Sequence, residues 1–209
     1  MKTRTSKILA ALAFLVLLFA GIAASAWLGL FNFAADVPHS KFVYSGIELL
    51  RERSVRVQAA TVSVPKLDNE QSIVKGAGNY AAMCAQCHLS PTMKSTELSR
   101  GLYPSPPDLT SRAVEPAIAF WTVKHGIKAS GMPAWGKSMN DQDIWDMVAF
   151  LQRLPKLDAP GYTALVSSSA GHSHAGAPQP NHDETTGAHA MPAAAPSKPA
   201  HTHKDGEAH

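Results

Sequence analysis

Cysteine is scarce in this sequence, because its 209 residues include only Cys84 and Cys87. Two cysteines three positions apart close almost no loop, so they cannot provide the disulfide framework of a small exported domain. Runs with the alternating pattern of β-strands are also missing. The 19 lysines and arginines are scattered beyond the N-terminal tip, and net charge is only +3. The sequence therefore excludes a disulfide-rich or mainly β fold and gives no indication of nucleic-acid binding.

An apolar run without a charged side chain extends over residues 8–31, directly after three basic residues. As a helix it would be long enough to cross a hydrocarbon core of about 30 Å. The preceding positive charges predict a cytoplasmic N-terminus and an exported remainder. Residues 24–26 resemble a signal-peptide cleavage site, so residues 1–33 are read as a membrane anchor or a signal peptide. The run continues past that site, which favours the anchor. In a bacterium the remainder would lie in the periplasm, at the inner membrane.

Residues 34–68 are predicted to be a tether that includes one amphipathic helix, with Ser45 as its candidate N-cap. A compact region then follows over residues 69–165. Helical patterns cover "EQSIVKGAGNYAAMC", "EPAIAFWTVKHG" and "NDQDIWDMVAFLQRLP", with proline-, glycine- and serine-rich loops between them. These patterns predict a small all-α domain. Such a domain buries little apolar surface by itself, so we expect a large apolar group to complete its core.

The composition changes towards the C-terminus, where residues 166–209 are predicted to be a disordered tail. Residues 167–209 contain no Leu, Ile, Val, Phe, Trp or Tyr, so they cannot form a core. Two His-x-His pairs in this tail are candidate ligands for copper, nickel or zinc. They are His172 with His174 and His201 with His203. A solubilising low-complexity tail is the alternative interpretation.

The two cysteines belong to the motif "CAQCH", in which His88 directly follows Cys87. A zinc site would need a fourth ligand, and outside the tail the other histidines are His39 and His125. A thioredoxin-like redox pair would need a βαβ context, which the helical pattern does not offer. Covalent haem attachment uses both thiols as thioethers and His88 as the proximal iron ligand. It also supplies the large apolar group that the domain needs, so we predict one covalent haem c.

A second iron ligand is predicted in the loop "GIKASGMPAWG". Met132 lies there between a glycine and a proline, which can hold its thioether rigidly towards an iron ion. Most methionines in small domains fill the core. Met147, on the apolar side of the last predicted helix, fits that role. Met139, just before the same helix, is the second candidate for the distal ligand.

Four segments of the chain resemble class I c-type cytochromes, in particular single-haem domains of membrane-attached bacterial respiratory proteins. They are "GAGNYAAMCAQCH", "GLYPSPPDL", "WTVKHGIKASGMPAWG" and "LQRLP", spread over residues 76–154. The resemblance implies a cytochrome c-like helical fold around the haem, with Met132 as distal ligand. One departure is visible: many members carry a glycine-rich turn like "HGAPG" after the motif, where this chain has "HLSPTMK".

The resemblance also implies two packing contacts. In this family a glycine and an aromatic residue on the first helix pack against an aromatic residue on the last. Gly76 and Tyr80 match the first helix, and Trp145 or Phe150 would be the partner. A proline in the loop after the motif would border the haem. The candidates are Pro104, Pro106 and Pro107.

The predicted function is electron transfer by a periplasmic, membrane-anchored cytochrome, one electron at a time. No acid/base constellation indicates an enzyme, and two axial ligands would leave the iron no open position. An oxidase or a dehydrogenase is the expected redox partner, and the chain could be a subunit of a larger oxidoreductase. A haem-based sensor, or a metal-homeostasis protein whose tail binds copper, nickel or zinc, is the alternative from another class.

Overall fold

The computed structural model describes residues 2–171, and all regular elements within that range are helices. The all-α fold class expected from the sequence is therefore confirmed for this part of the chain. The helices are α1 (Lys2–Trp27), α2 (Lys41–Ala59), α3 (Glu70–Met83), α4 (Ala85–His88), α5 (Glu97–Gly101), α6 (Pro116–His125), α7 (Asp141–Arg153) and α8 (Ala159–Ser168). Two short 3-10 turns, Trp135–Lys137 and Leu154–Lys156, lie on either side of α7.

The first helix contains the apolar run found in the sequence. Ser6–Trp27, 22 residues of α1, is long and apolar enough to cross a membrane. Its large apolar side chains are exposed, as expected for a helix that packs against lipid and not against a protein core. The length and composition of α1 agree with the membrane anchor predicted from the sequence, and a signal peptide would show the same features.

The tether contains the predicted helix, but the helix starts earlier than the sequence indicated. Ser40, not Ser45, is the N-cap of α2, and its hydroxyl oxygen accepts a hydrogen bond from the backbone N–H of Val43. Because it begins five residues earlier, the helix is longer by more than one turn. Val55 and Ala59 are buried where α2 packs against α6, so the tether is part of the folded domain.

The core lies between α3 and α7, which form the most extensive helix pair in the domain. α7 has Asn140 as its N-cap, as expected, and buries Ile144, Val148 and Phe150. α6 also packs against α7, with Pro116 in its first turn and Gly126 as its C-cap. The loop predicted over residues 89–111 contains the short α5. The segment that carries the cysteines follows α3, and its short helix α4 packs against α3 and α5.

The last helix, α8, packs against α3. It extends to Ser168, so the domain boundary predicted at residue 165 falls inside a helix. Most of the predicted tail lies outside the described residues. The same holds for the four candidate tail ligands, His172, His174, His201 and His203.

Candidate haem site

The two cysteines and the adjacent histidine lie on a single helical turn. α3 ends at Met83, and α4 is the one turn Ala85–His88. The backbone N–H groups of Cys87 and His88 donate to the carbonyl oxygen of Cys84, at 3.0 and 2.8 Å. Side chains three and four positions apart project to the same side of a helical turn. Both thiols are free, and they line the same cavity as the imidazole.

The pKa of the Cys84 thiol differs from that of a redox-active cysteine. Burial, with a smaller contribution from Cys87, raises the pKa of Cys84 to about 12. The thiol is therefore protonated at neutral pH, whereas a redox-active Cys-x-x-Cys pair holds one cysteine as a low-pKa thiolate. Within residues 2–171, no three His, Cys, Asp or Glu side chains are grouped to hold a metal ion.

His88 is oriented by a backbone carbonyl on the loop after α5. Its Nδ1 atom lies 2.9 Å from the carbonyl oxygen of Pro107. A carbonyl oxygen only accepts, so Nδ1 donates its proton and Nε2 keeps its lone pair available. Burial lowers the pKa of His88 by more than the bond to Pro107 raises it, which favours the neutral ring. A neutral, oriented imidazole is the form that binds a metal ion. Pro107 is one of the three prolines that the resemblance indicated.

The cavity beside this turn has a volume of about 630 Å³. Clefts of about 300–1,000 Å³ are typical of cofactor sites. The four predicted site residues, Cys84, Cys87, His88 and Met132, all line it. Much of the remaining wall is apolar, including Met83, Leu109, Ile118, Val123, Met147 and Leu151. An apolar cleft that joins two thiols, an imidazole and a thioether fits the attachment and ligand groups of haem c.

The loop that carries Met132 is held by hydrogen bonds of its own. The backbone N–H of Ile127 donates to the carbonyl oxygen of Met132 at 3.1 Å, and the Met132 N–H donates to the hydroxyl oxygen of Ser130 at 3.2 Å. The loop starts at Gly126, whose φ of +65° favours glycine. A Cβ at Gly126 would lie 2.7 Å from the Met132 carbonyl oxygen. The methionine is therefore presented from a tightly closed loop.

Met139, the second candidate for the distal ligand, lies elsewhere. It is 4% exposed and packs in the apolar core, and it is not among the residues that line the cavity. Met147 does line the cavity, but it is a buried residue of α7 and belongs to the same core. Among these three methionines, Met132 is the one that a loop brings to the cavity from outside the core.

The crossing of α3 and α7 supports the cysteine turn. Gly76 lies against the backbone of α7, and the rings of Tyr80 and Phe150 are 5.3 Å apart. Phe150 is thus the aromatic partner, whereas Trp145 stacks on Phe120 of α6. The Tyr80 hydroxyl donates to the carbonyl oxygens of His88 and Leu89. One aromatic side chain therefore connects the helix crossing to the segment that carries the histidine.

Residues 71–151 match the family model described as cytochrome C oxidase, cbb3-type, subunit III. The match extends from the first turn of α3 into α7 and contains all four predicted site residues. These residues form a c-type cytochrome domain. The fold class and the resemblance expected from the sequence are thus confirmed, and the family implies covalently bound haem c. No curated protein and no solved structure matches the chain.

One side of the cavity lies outside the segment matched to the cytochrome family. Tyr44, Glu48, Arg51 and Val55 of α2 line the cavity together with the residues of the cytochrome domain. The sequence predicts this helix as part of a tether and does not assign it to the site. Their spacing of three and four residues places these positions on one face of an amphipathic helix. This pattern is visible in the sequence and could have indicated that the helix packs against the domain.

Proposed function

We propose that this protein is a single-haem c-type cytochrome, anchored in the bacterial inner membrane, that carries one electron at a time between redox partners in the periplasm. The observation that supports it most directly is that Cys84, Cys87, His88 and Met132 line one cavity of a cytochrome domain. When bound there, haem c supplies a one-electron couple, and a Met/His ligand pair raises its potential relative to other axial sets.

The residues of the chain would have distinct roles in this site. Cys84 and Cys87 would hold the cofactor through thioether bonds. His88 would bind the iron through Nε2, because Nδ1 is engaged with Pro107. Met132 would provide the second protein ligand. With both ligands supplied by the protein, the site would serve electron transfer and not catalysis.

The membrane attachment and the partners follow from the chain outside the cytochrome domain and from the family. Lys2, Arg4 and Lys7 precede the apolar part of α1, which favours an N-terminus in the cytoplasm and a haem domain in the periplasm. The family description refers to an oxidase subunit. The partners we propose are therefore an oxidase or a dehydrogenase at the membrane, with this chain as a carrier or a subunit.

The test is visible spectroscopy of the full-length, matured protein. A pyridine haemochrome of the c type is expected, with one iron per chain. Oxidised wild type should show the long-wavelength charge-transfer band of a Met–iron bond, and Met132→Ala should lose it. Met139→Ala is the matched control. It should keep the band while losing about 2–5 kcal/mol of stability, because Met139 is buried in the core.

Each outcome bears on a different part of the proposal. A band that persists in Met132→Ala would refute the distal ligand. A wild-type haem without that band, and with ready binding of carbon monoxide, would refute the six-coordinate carrier. A matured, membrane-inserted protein without haem would refute the cytochrome function itself.

A further inference from the structure

Helix α2 closes one side of the haem cavity, although the cytochrome family match begins after it. Its Tyr44, Glu48, Arg51 and Val55 line the cavity. These positions are spaced by three and four, so they form one continuous face of the helix. Val55 is buried on this face, and exposed Leu49 lies away from it. The helix therefore presents one defined side to the cavity.

Both ends of α2 are attached to the cytochrome domain. Before its N-terminus, the backbone N–H of His39 donates to the Tyr103 hydroxyl oxygen at 3.0 Å. The ring of Tyr103 also meets those of His39 and Tyr44, with centroids 5.4 and 6.2 Å apart. At the other end, α2 packs against α6 through buried Ala59. α2 is therefore in contact with the cytochrome domain at both of its ends.

Arg51 is the less exposed of the two arginines of α2 that line the cavity. The Arg51 side chain is 30% exposed, while that of Arg56 is 65% exposed. The ion pair between Arg51 and Glu48 is long, at 3.4 Å. The charged groups that line the cavity are Glu48, Arg51, Glu52, Arg56, Asp108, Arg112 and Glu115. Glu115 accepts hydrogen bonds from the first turn of α6, and Asp108 accepts from Thr110.

Haem carries its two carboxylates on the edge of the ring opposite the groups that react with cysteine. In this chain Cys84 caps α4 and Cys87 lies within it, whereas the main packing partner of α2 is α6. We propose that Arg51 binds a carboxylate of the haem and so makes α2 a functional wall of the site, an inference that rests on the proposed haem function. A guanidinium group matches a carboxylate through paired N–H donors.

The positive charge of the Arg51 guanidinium group would affect the reduction potential of the haem iron. Oxidised haem has one more positive charge than reduced haem, so a nearby cation favours the reduced state. Arg51→Gln should therefore shift the equilibrium about tenfold towards the oxidised form, which for a one-electron couple lowers the midpoint potential by about 59 mV. Arg51→Lys keeps the charge without the paired donors and should lose less than half of that shift.

Arg53→Gln is the matched control, because it makes the same change of charge on an exposed residue of the same helix that does not line the cavity. Arg53→Gln should change the equilibrium between oxidised and reduced haem by less than about twofold. This change should vanish at high salt, since exposed charges are screened. The effect of Arg51→Gln should persist at high salt. Glu48→Gln should act in the opposite direction and raise the potential, so the proposal remains testable if Arg51→Gln does not mature.

The measurement is redox titration of full-length, haem-loaded protein in detergent, followed by the visible spectrum. Equal shifts in Arg51→Gln and Arg53→Gln would overturn the inference and leave the haem function intact. A potential of Glu48→Gln that is unchanged or lower would do the same. Failure of the haem function would appear separately, as a wild-type protein without the c-type haemochrome.

Discussion

Gly76 is the position at which a single added methyl group should do most damage to the domain. It lies where α3 crosses α7. A Cβ there would be 2.1 Å from the carbonyl oxygen of Asp146 and 2.9 Å from the Cβ of Phe150. The first of these atoms belongs to the backbone, so it cannot rotate away. For Gly76→Ala the two helices would have to separate by more than about 1 Å in a close-packed core.

The expected loss of stability in Gly76→Ala is the balance of two opposing effects. Overpacking of a core typically costs about 1–3 kcal/mol, and the cost is at the upper end where backbone must move. Alanine gains about 1 kcal/mol over glycine in a helix interior. We therefore expect Gly76→Ala to lower the free energy of unfolding by about 2 kcal/mol, and the melting temperature by about 10 °C for a domain of this size.

The assay is thermal unfolding of the haem-loaded protein, followed by far-UV circular dichroism. Gly46→Ala is the matched control: it also replaces a helical glycine, but nothing lies within 4 Å of the new Cβ. It should be neutral or stabilising by up to about 1 kcal/mol. If Gly76→Ala melts at or above the wild-type temperature with its visible spectrum unchanged, the packing explanation of this glycine is wrong.

Two further predictions concern an ion cluster and the methionine loop. Lys75→Gln should lower the free energy of unfolding by about 3 kcal/mol, because it removes the cation that pairs with the carboxylates of Asp143 and Asp146. The side chains of these two residues are 1% and 4% exposed. Burial alone would lower the pKa of Lys75, but the hydrogen bonds and charges of these carboxylates raise it above its ordinary 10.5. The stability that Lys75 contributes is therefore fully present below pH 10.5 and is lost as the pH rises through the raised pKa. Above pH 10.5 the melting temperature of the wild type should fall, while that of the variant should not change for this reason. Gly126→Ala should weaken or abolish the Met–iron band while haem stays attached, because a Cβ there meets the carbonyl oxygen of Met132; an unchanged band would contradict this.

The positions of α3, α6 and α7 could be predicted from the sequence because residues at their ends favour helix starts and stops, whereas α4, α5 and α8 were not predicted. Asn140 caps α7, and Pro116 and Gly126 bound α6, as expected. The start of α2 was predicted too late. Two serines, Ser40 and Ser45, both suit an N-cap, and the pattern alone did not distinguish between them.

The turn after the haem motif shows what the pattern could not predict. Leu89 and Thr92 have φ values of +65° and +66°, a conformation that favours glycine. They occupy the positions of the glycines in the "HGAPG"-like turn of the resembling cytochromes. Two residues other than glycine therefore adopt this backbone conformation here. The bond from the Tyr80 hydroxyl to the Leu89 carbonyl is one of the contacts that hold it.

The sequence by itself indicated a c-type cytochrome domain, because Cys84, Cys87 and His88 of the haem-attachment motif are close along the chain. It also made Met132 the candidate distal ligand, since a glycine and a proline beside a methionine are visible without a structure. Only the tertiary structure decided which proline orients His88, which methionine lies in the core and which aromatic ring meets Tyr80. It alone placed α2 and Arg51 at the cavity. These are contacts between residues far apart in the chain, and packing selects them from many partners that a local pattern leaves equivalent.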